Sequence, residues 1–352
     1  MTGFVTGTAG RLTARRFVAA LAMSLAITAV IAGFAPLLGT VVDHGWHLDI
    51  LGSRAFTPGT VEHQILWAAR IPRMLASLEV GAALAAAGCA LQALLRNPLA
   101  EPFTLGISSG ASLAAVLAIR LGIEAAFGMA GVGGASLIGA AATLLAVWQL
   151  ARIGKHLPPA TLVLAGVMMS MFCASASVLI QYTSDLAELT HMLQWMLGGM
   201  ETVRLATVGA AAIPIGAALI VLVGYGRELN ALAAGPEVAA SLGVAVPRTQ
   251  TAIFALSSLL VGAAIAVAGP IGFIGLIVPH GLRAVLGPDH RLLVPASMFG
   301  GATLLALCDT LARTAIPQHH LPTGAVTAVL GVPCFIAILV GQKRRARLWS
   351  HA

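Results

Sequence analysis

The stretch Gly269 to Arg283, GPIGFIGLIVPHGLR, sets the tightest limit on what this chain can fold into. Glycines, two prolines, a histidine and an arginine interrupt an otherwise apolar segment. In hydrocarbon every backbone N–H and C=O must be satisfied within the protein, so broken backbone at membrane depth survives only inside a bundle or beside a watery cavity. An ordinary lone span is therefore excluded. The segment predicts a polytopic bundle with a polar path through it, as a transporter has.

Composition supports a membrane setting. The 352 residues are 58% hydrophobic and 9% charged, with a mean hydropathy of +0.93. A soluble domain is roughly half apolar and about a quarter charged. The net charge of +7 comes from basic residues scattered singly between apolar runs. No basic stripe with interleaved aromatics is present, so nucleic acid is not an expected partner. The four cysteines, Cys89, Cys173, Cys308 and Cys334, lie in apolar runs and form no CxxC, which suggests packing rather than a disulfide frame or a metal site.

Apolar runs of span length lie near Phe17 to Leu38, Met74 to Leu95, Phe103 to Leu121, Ala126 to Ala151, Thr161 to Tyr182, Leu205 to Val223, Thr249 to Ala268, Leu292 to Ala312 and Leu321 to Val340. With the broken segment they predict an all-α membrane protein of about ten transmembrane helices, forming a single polytopic domain over residues 1–352. Arg11, Arg15 and Arg16 precede the first run, which is long for a signal peptide and is read as a retained span. If the chain starts inside, 14 of its 20 Lys and Arg fall on the inner side and 6 on the outer, so both termini are expected in the cytoplasm. The outer set, Arg54, Arg70, Arg73, Arg120, Arg204 and Arg313, then needs an explanation.

Val80 to Gly88 reads VGAALAAAG and Val261 to Gly269 reads VGAAIAVAG, and the same offset places Pro98 on Pro279. Two related halves running in opposite directions, with broken helices in matching places, is the inverted-repeat plan of many transporters. Small residues also recur wherever membrane helices pack closely, so chance resemblance is the competing reading.

Chemical motifs are few. Gly106 to Gly110, GISSG, matches a nucleophile elbow, which requires a strand, a strained turn and a helix with His and Asp partners. Here it opens an apolar helix, where close packing is the simpler role. The sequence holds no HExxH and no GxxxxGK[ST] phosphate loop, so ATP-driven work requires another subunit. Asp309 precedes Arg313 by four residues, a helical spacing that allows them to pair. Glu79 has no partner at such spacing. Lining a path, pairing with another helix and staying protonated are all open to it.

ARIPRMLASLEVGAALAAAGCALQALLRNPLAEPFTLGISSGAS, GPIGFIGLIVPHGLR, GPDHR, DTLAR and LPTGAVTAVLGVPCF together resemble the FecCD-type permeases. These are the membrane subunits of ABC importers for ferric siderophores, haem and vitamin B12. The resemblance covers about residues 70–342 and implies a homodimer in the bacterial cytoplasmic (inner) membrane. It further implies two copies of a separate ATPase and a periplasmic or lipid-anchored substrate-binding protein. On this resemblance Arg70, Arg73 and Arg313 match the arginines that dock the binding protein. Positive charge on the disfavoured face suits capture of an acidic surface, with interfacial snorkelling as the alternative. Residues 233–248 match the cytoplasmic coupling segment, where Gly235 and Pro236 suit a helix start and Gly243 its end. Glu237, Leu242 and Gly243 are the expected ATPase contacts. Asn97 and Leu99 match the cytoplasmic gate, while Pro158, Pro159 and Ala160 depart from the family pattern at a second gate.

No covalent chemistry, metal or cofactor is implied for this chain. The expected cargo is an iron chelate of the ferric siderophore class, with haem or vitamin B12 as alternatives. Histidines on the predicted outer side, His44, His47, His63, His191, His319 and His320, lend haem slight support. A proton-coupled secondary transporter with Glu79 in its path is the alternative from another class, and an intramembrane hydrolase using Ser108 or Ser109 is a third.

Overall fold

The computed structural model describes residues 13–350 apart from 43–45, 51, 155, 202 and 317–320. Helix α1 spans Ala14–Phe34, with Thr13 accepting the Arg16 N–H at 3.3 Å as its cap. Pro36 cannot continue that helix, and the chain turns into a hairpin of β1, Leu38–Val42, and β2, Trp46–Ile50, paired antiparallel with Leu38 opposite Ile50. The hairpin departs from the all-α expectation. It lies in the segment between the first two apolar runs, where cross-strand pairing satisfies the backbone.

A short α2, Val61–Gln64, runs through a π-helical turn, Ile65–Arg70, into α3, Ile71–Leu94. Then come α4 (Ile107–Arg120), α5 (Ile123–Ala151), α6 (Pro159–Tyr182), α7 (Leu186–Leu197) and α8 (Leu205–Gly224). Two short helices, α9 (Gly226–Ala234) and α10 (Pro236–Ser241), precede α11 (Val246–Ala268), α12 (Ile274–Leu286), α13 (His290–Thr314) and α14 (Thr323–Ser350). Among the described residues seven helices are long and apolar enough to cross a membrane, and Ile107–Arg120, Ile274–Leu286 and Thr323–Ala337 are shorter apolar helices. Each apolar run read from the sequence falls on one of these, and α12 carries the broken segment.

Helix α3 is the hub. Of its apolar stretch 78% is buried, against 11% for α1, which leaves α1 on the periphery. It packs on α13, α11 and α12 because glycines let backbones meet. A Cβ on Gly81 would strike the carbonyl of Gly301, and one on Gly88 would strike the backbone of Gly275. The glycines of the GISSG segment serve the same purpose. Gly106 lies against Gly166, and Gly110 against Thr143 and Gly139.

The repeated stretches lie in α3 and α11, and these helices pack on each other. Their prolines are not equivalent. Pro98 falls in the turn beyond α3, whereas Pro279 is inside α12. The broken segment is also less broken than its composition suggests: the interruption is confined to 269–273, and helix resumes through Pro279 to Leu286.

Candidate functional site

At the end of the bundle that the charge count places outside, two arginines meet one aspartate, and Arg70 lies close to Arg313. Arg73 Nε donates to Asp309 Oδ1 at 2.7 Å, Arg313 Nε lies 3.5 Å from Oδ2, and Thr323 Oγ1 donates to Oδ1 at 2.9 Å. The side chains of Arg73 and Arg313 are 8% exposed and that of Asp309 1%. Arg313 also donates to the carbonyls of Leu38 and Ala35, and Arg70 to those of Pro36 and Leu37. Gly39 makes the approach of Arg70 possible, since a Cβ there would collide with the guanidinium.

The expected Asp309–Arg313 pair therefore exists, but Arg73 is the closer partner. The docking expectation is also modified. Arg73 and Arg313 are not surface cations in the lone chain, because they close a buried network joining α3, α13, α14 and the end of α1. Removing one member of such a network leaves an uncompensated buried charge.

A second cluster gathers the helix interruptions. After α3 the chain ends in a Schellman turn, with Asn97 N–H to Gln92 O at 3.1 Å and Arg96 N–H to Ala93 O at 3.2 Å. Arg96 occupies the left-handed position, φ 49°, usually taken by glycine. Asn97 Oδ1 then accepts the Leu99 N–H at 3.0 Å, and both residues are exposed at this turn. Farther along, Glu101 Oε1 accepts the Phe273 N–H at 2.6 Å. Gln92 donates to the carbonyls of Gly275, at 3.3 Å, and Leu276, at 3.5 Å, and accepts from Arg283 at 2.9 Å. The buried His280 bonds the backbone of Pro98, which is a structural duty.

Sequence reasoning missed Glu101 and Gln92. Glu101 sits just before its apolar run and so escaped a survey of acids within runs. Its signal was a carboxylate between two prolines, Pro98 and Pro102, where the backbone is bound to need capping. Glu79 lies on α3 with both carboxylate oxygens buried and unpartnered.

On the opposite end, α9 and α10 form a bent pair hinged at Gly235, φ 126°. Gly243, φ 83°, closes α10 in a Schellman turn, its N–H bonding Ala240 O and the Val244 N–H bonding Ala239 O, both at 3.0 Å. Glu237, Leu242 and Gly243 are all exposed, and Val238 lies exposed beside them. The hairpin thus leaves two apolar side chains, Leu242 and Val238, uncovered. Between α12 and α13, Asp289 accepts from Arg291 and from Asn230 of α9, and these contacts, Arg291 foremost, hold its carboxyl down at about 2.

Other expectations can be placed. Ser108 is buried on α4, and the segment leading into that helix is a 3-10 turn, Pro102–Leu105, rather than a strand, so the elbow context is missing. Pro158 and Pro159 cap and start α6. His63 bonds the Ala55 carbonyl and His191 pairs with Glu124. His44, His319 and His320 lie outside the described residues, as does the side chain of His47.

Comparison with known proteins matches residues 17–341 to the FecCD transport family, a longer reach than the motifs alone suggested. The chain is 39% identical over 277 residues to a cobalamin import system permease protein, BtuC, of Halobacterium salinarum, covering 79% of this chain and 73% of that one. It is 38% identical over 278 residues to the hemin transport system permease protein HmuU of Yersinia pestis, covering 78% and 83%. Among solved structures, an ABC transporter assigned to the metal-chelate type, in an inward-facing conformation, superposes with a TM-score of 0.79 at 28% identity, covering 92% of this chain and 99% of that one. The chain thus belongs to the FecCD transport family and is the multi-pass inner-membrane permease of a bacterial ABC importer, working with an ATPase and a substrate-binding protein.

Proposed function

We propose that this chain, as a homodimer, moves an iron chelate of the ferric siderophore class from periplasm to cytoplasm by alternating access. The ATPases close on ATP, the two copies rock about the membrane midplane, and cargo passes along their shared axis. The observation that carries this reading is the presence, in one bundle, of a broken α11–α12 connection and an exposed hairpin, Glu237 to Gly243, at the other end of α11. A second reading, cobalamin or haem as cargo, is favoured by the relatives at 39% and 38% identity. Identifying the chelate carried by the cognate binding protein, by mass spectrometry of that protein purified with its ligand, separates the two. A corrin or a porphyrin would overturn the siderophore assignment.

Docking of the binding protein belongs to the arginine cluster. Two guanidinium groups face one carboxylate there, with Arg70 close to Arg313, and Arg73 Nη2 has no hydrogen-bond partner inside the chain. The surplus positive charge suits an acidic partner surface. Because Arg73 and Arg313 also hold Asp309, the informative variant is Arg70→Glu. It should abolish stimulation of ATP hydrolysis by the binding protein while the permease–ATPase complex stays assembled, and undiminished stimulation would remove the assignment.

ATPase coupling belongs to Glu237, Leu242 and Gly243. Leu242, 68% exposed, is the cleaner probe, since Gly243 is needed for the helix end itself. Leu242→Asp should leave the isolated permease as stable as before and uncouple transport from ATP hydrolysis. Asn97 and Leu99 form the cytoplasmic gate, and Glu79 is a pathway candidate on account of its unpartnered oxygens.

A further inference from the structure

We propose that Glu101 is a positioning residue, the latch of a hinge at Phe273 that makes the Asn97–Leu99 turn and α12 move as one body; this rests on the transport reading above. Two non-glycine residues among those described have positive φ, Arg96 at 49° and Phe273 at 70°. One opens the connection after α3 and the other closes the break between α11 and α12. Such backbone costs about 1–3 kcal/mol per residue and persists only where its surroundings hold it.

The surroundings of Phe273 can be named. Its N–H is held by Glu101 at 2.6 Å, and its ring root fills the notch left by Gly331 of α14, where a Cβ would collide with it. Pro102 closes on Gly275, while Gln92 and His280 tie α3 and Pro98 to α12. The connection 95–102 is thereby fastened to α12 at several points.

Glu101, half-buried, joins the connection after α3 to the Phe273 amide, 172 positions away in the chain. A bond between two segments that each carry a positive-φ residue favours a role in movement over one in stability. When α12 shifts, the exit turn is carried with it; when the latch is lost, Phe273 relaxes and the turn is released.

The test uses the permease–ATPase complex in nanodiscs, with the exposed Cys334 replaced by Ser and Leu99→Cys as a labelling probe. Hydrogen exchange of the Phe273 amide and the change in thiol labelling on adding ATP are both read. Glu101→Ala should speed that exchange at least about tenfold and abolish the ATP-dependent change in labelling. Glu101→Gln should preserve both, because its amide oxygen accepts the same bond. Gly331→Ala, which crowds the Phe273 ring and leaves the carboxylate in place, should also speed exchange. Unchanged exchange in Glu101→Ala or Gly331→Ala overturns the latch, and so does a Gln variant that behaves like Ala. If the parent complex shows no ATP response in labelling, the transport reading fails, while exchange at Phe273 still decides the latch.

Discussion

Val80–Gly88 of α3 and Val261–Gly269 of α11 are nearly the same peptide, yet one runs on as helix and the other stops at its last residue. Gly88 is followed by Cys89 and stays helical, pressed against Gly275. Gly269 is followed by Pro270, which disfavours helical geometry in the residue before it. Gly269 turns to φ 65° and ψ −172°, against Trp195 O and Gly198. A difference of one following residue thus separates a packed helix from a helix break. The helix starts differ as well. Both open with Pro–Arg, but Arg73 is buried on Asp309 whereas Arg248 is exposed.

The largest effect should come from the helix starts. Asp309→Ala leaves Arg73 and Arg313 buried without their counter-ion and should cost about 3–5 kcal/mol in SDS unfolding of the permease in mixed micelles. Arg248→Gln, at the matching start of α11, should cost within about 0.5 kcal/mol. Equal effects would break the contrast drawn here between the two ends. Next come the repeated glycines. Gly269→Ala forces a side chain into a conformation reserved almost wholly for glycine, and Gly88→Ala overpacks a backbone contact. Each should cost about 1–3 kcal/mol by the same unfolding assay.

Pro270→Cys makes the second copy read like the first. If the proline sets the break, amides 270–272 should slow in hydrogen exchange as α11 extends, and transport should fall. Exchange that stays fast would assign the break to Trp195 and Gly198 instead. The smallest effect concerns the connection after α12. Asp289 titrates at about 2 in the folded chain against an ordinary 3.8. Its contribution is therefore full above pH about 4 and is lost as pH falls through about 2. Asp289→Asn should flatten the acid dependence of α9 docking in that window and lower stability modestly at neutral pH, where the carboxylate's contribution is full.

Much of the fold was legible because membrane burial writes itself into long apolar runs, and each run became a helix. The hairpin Leu38–Ile50 was not, since its strands lie in an interval without helical or transmembrane periodicity. The exposed turn at Asn97 and Leu99 and the bent pair α9–α10 followed from glycine and proline punctuation together with the family resemblance. Glu101 was hidden because its partner is the Phe273 amide, 172 positions away. The same distance effect turned Arg73 from an expected surface cation into a buried one, through Asp309, 236 positions on.

The sequence by itself determined the membrane class, the helices and where they stop, because hydrophobic length, glycine and proline act on the chain locally. The tertiary structure alone decided which arginines are buried, which carboxylate caps which amide and what each of two like glycines packs against. Those outcomes depend on neighbours that arrive from distant segments, and a charge or an N–H acquires its energetic meaning only once the group opposite it is in place.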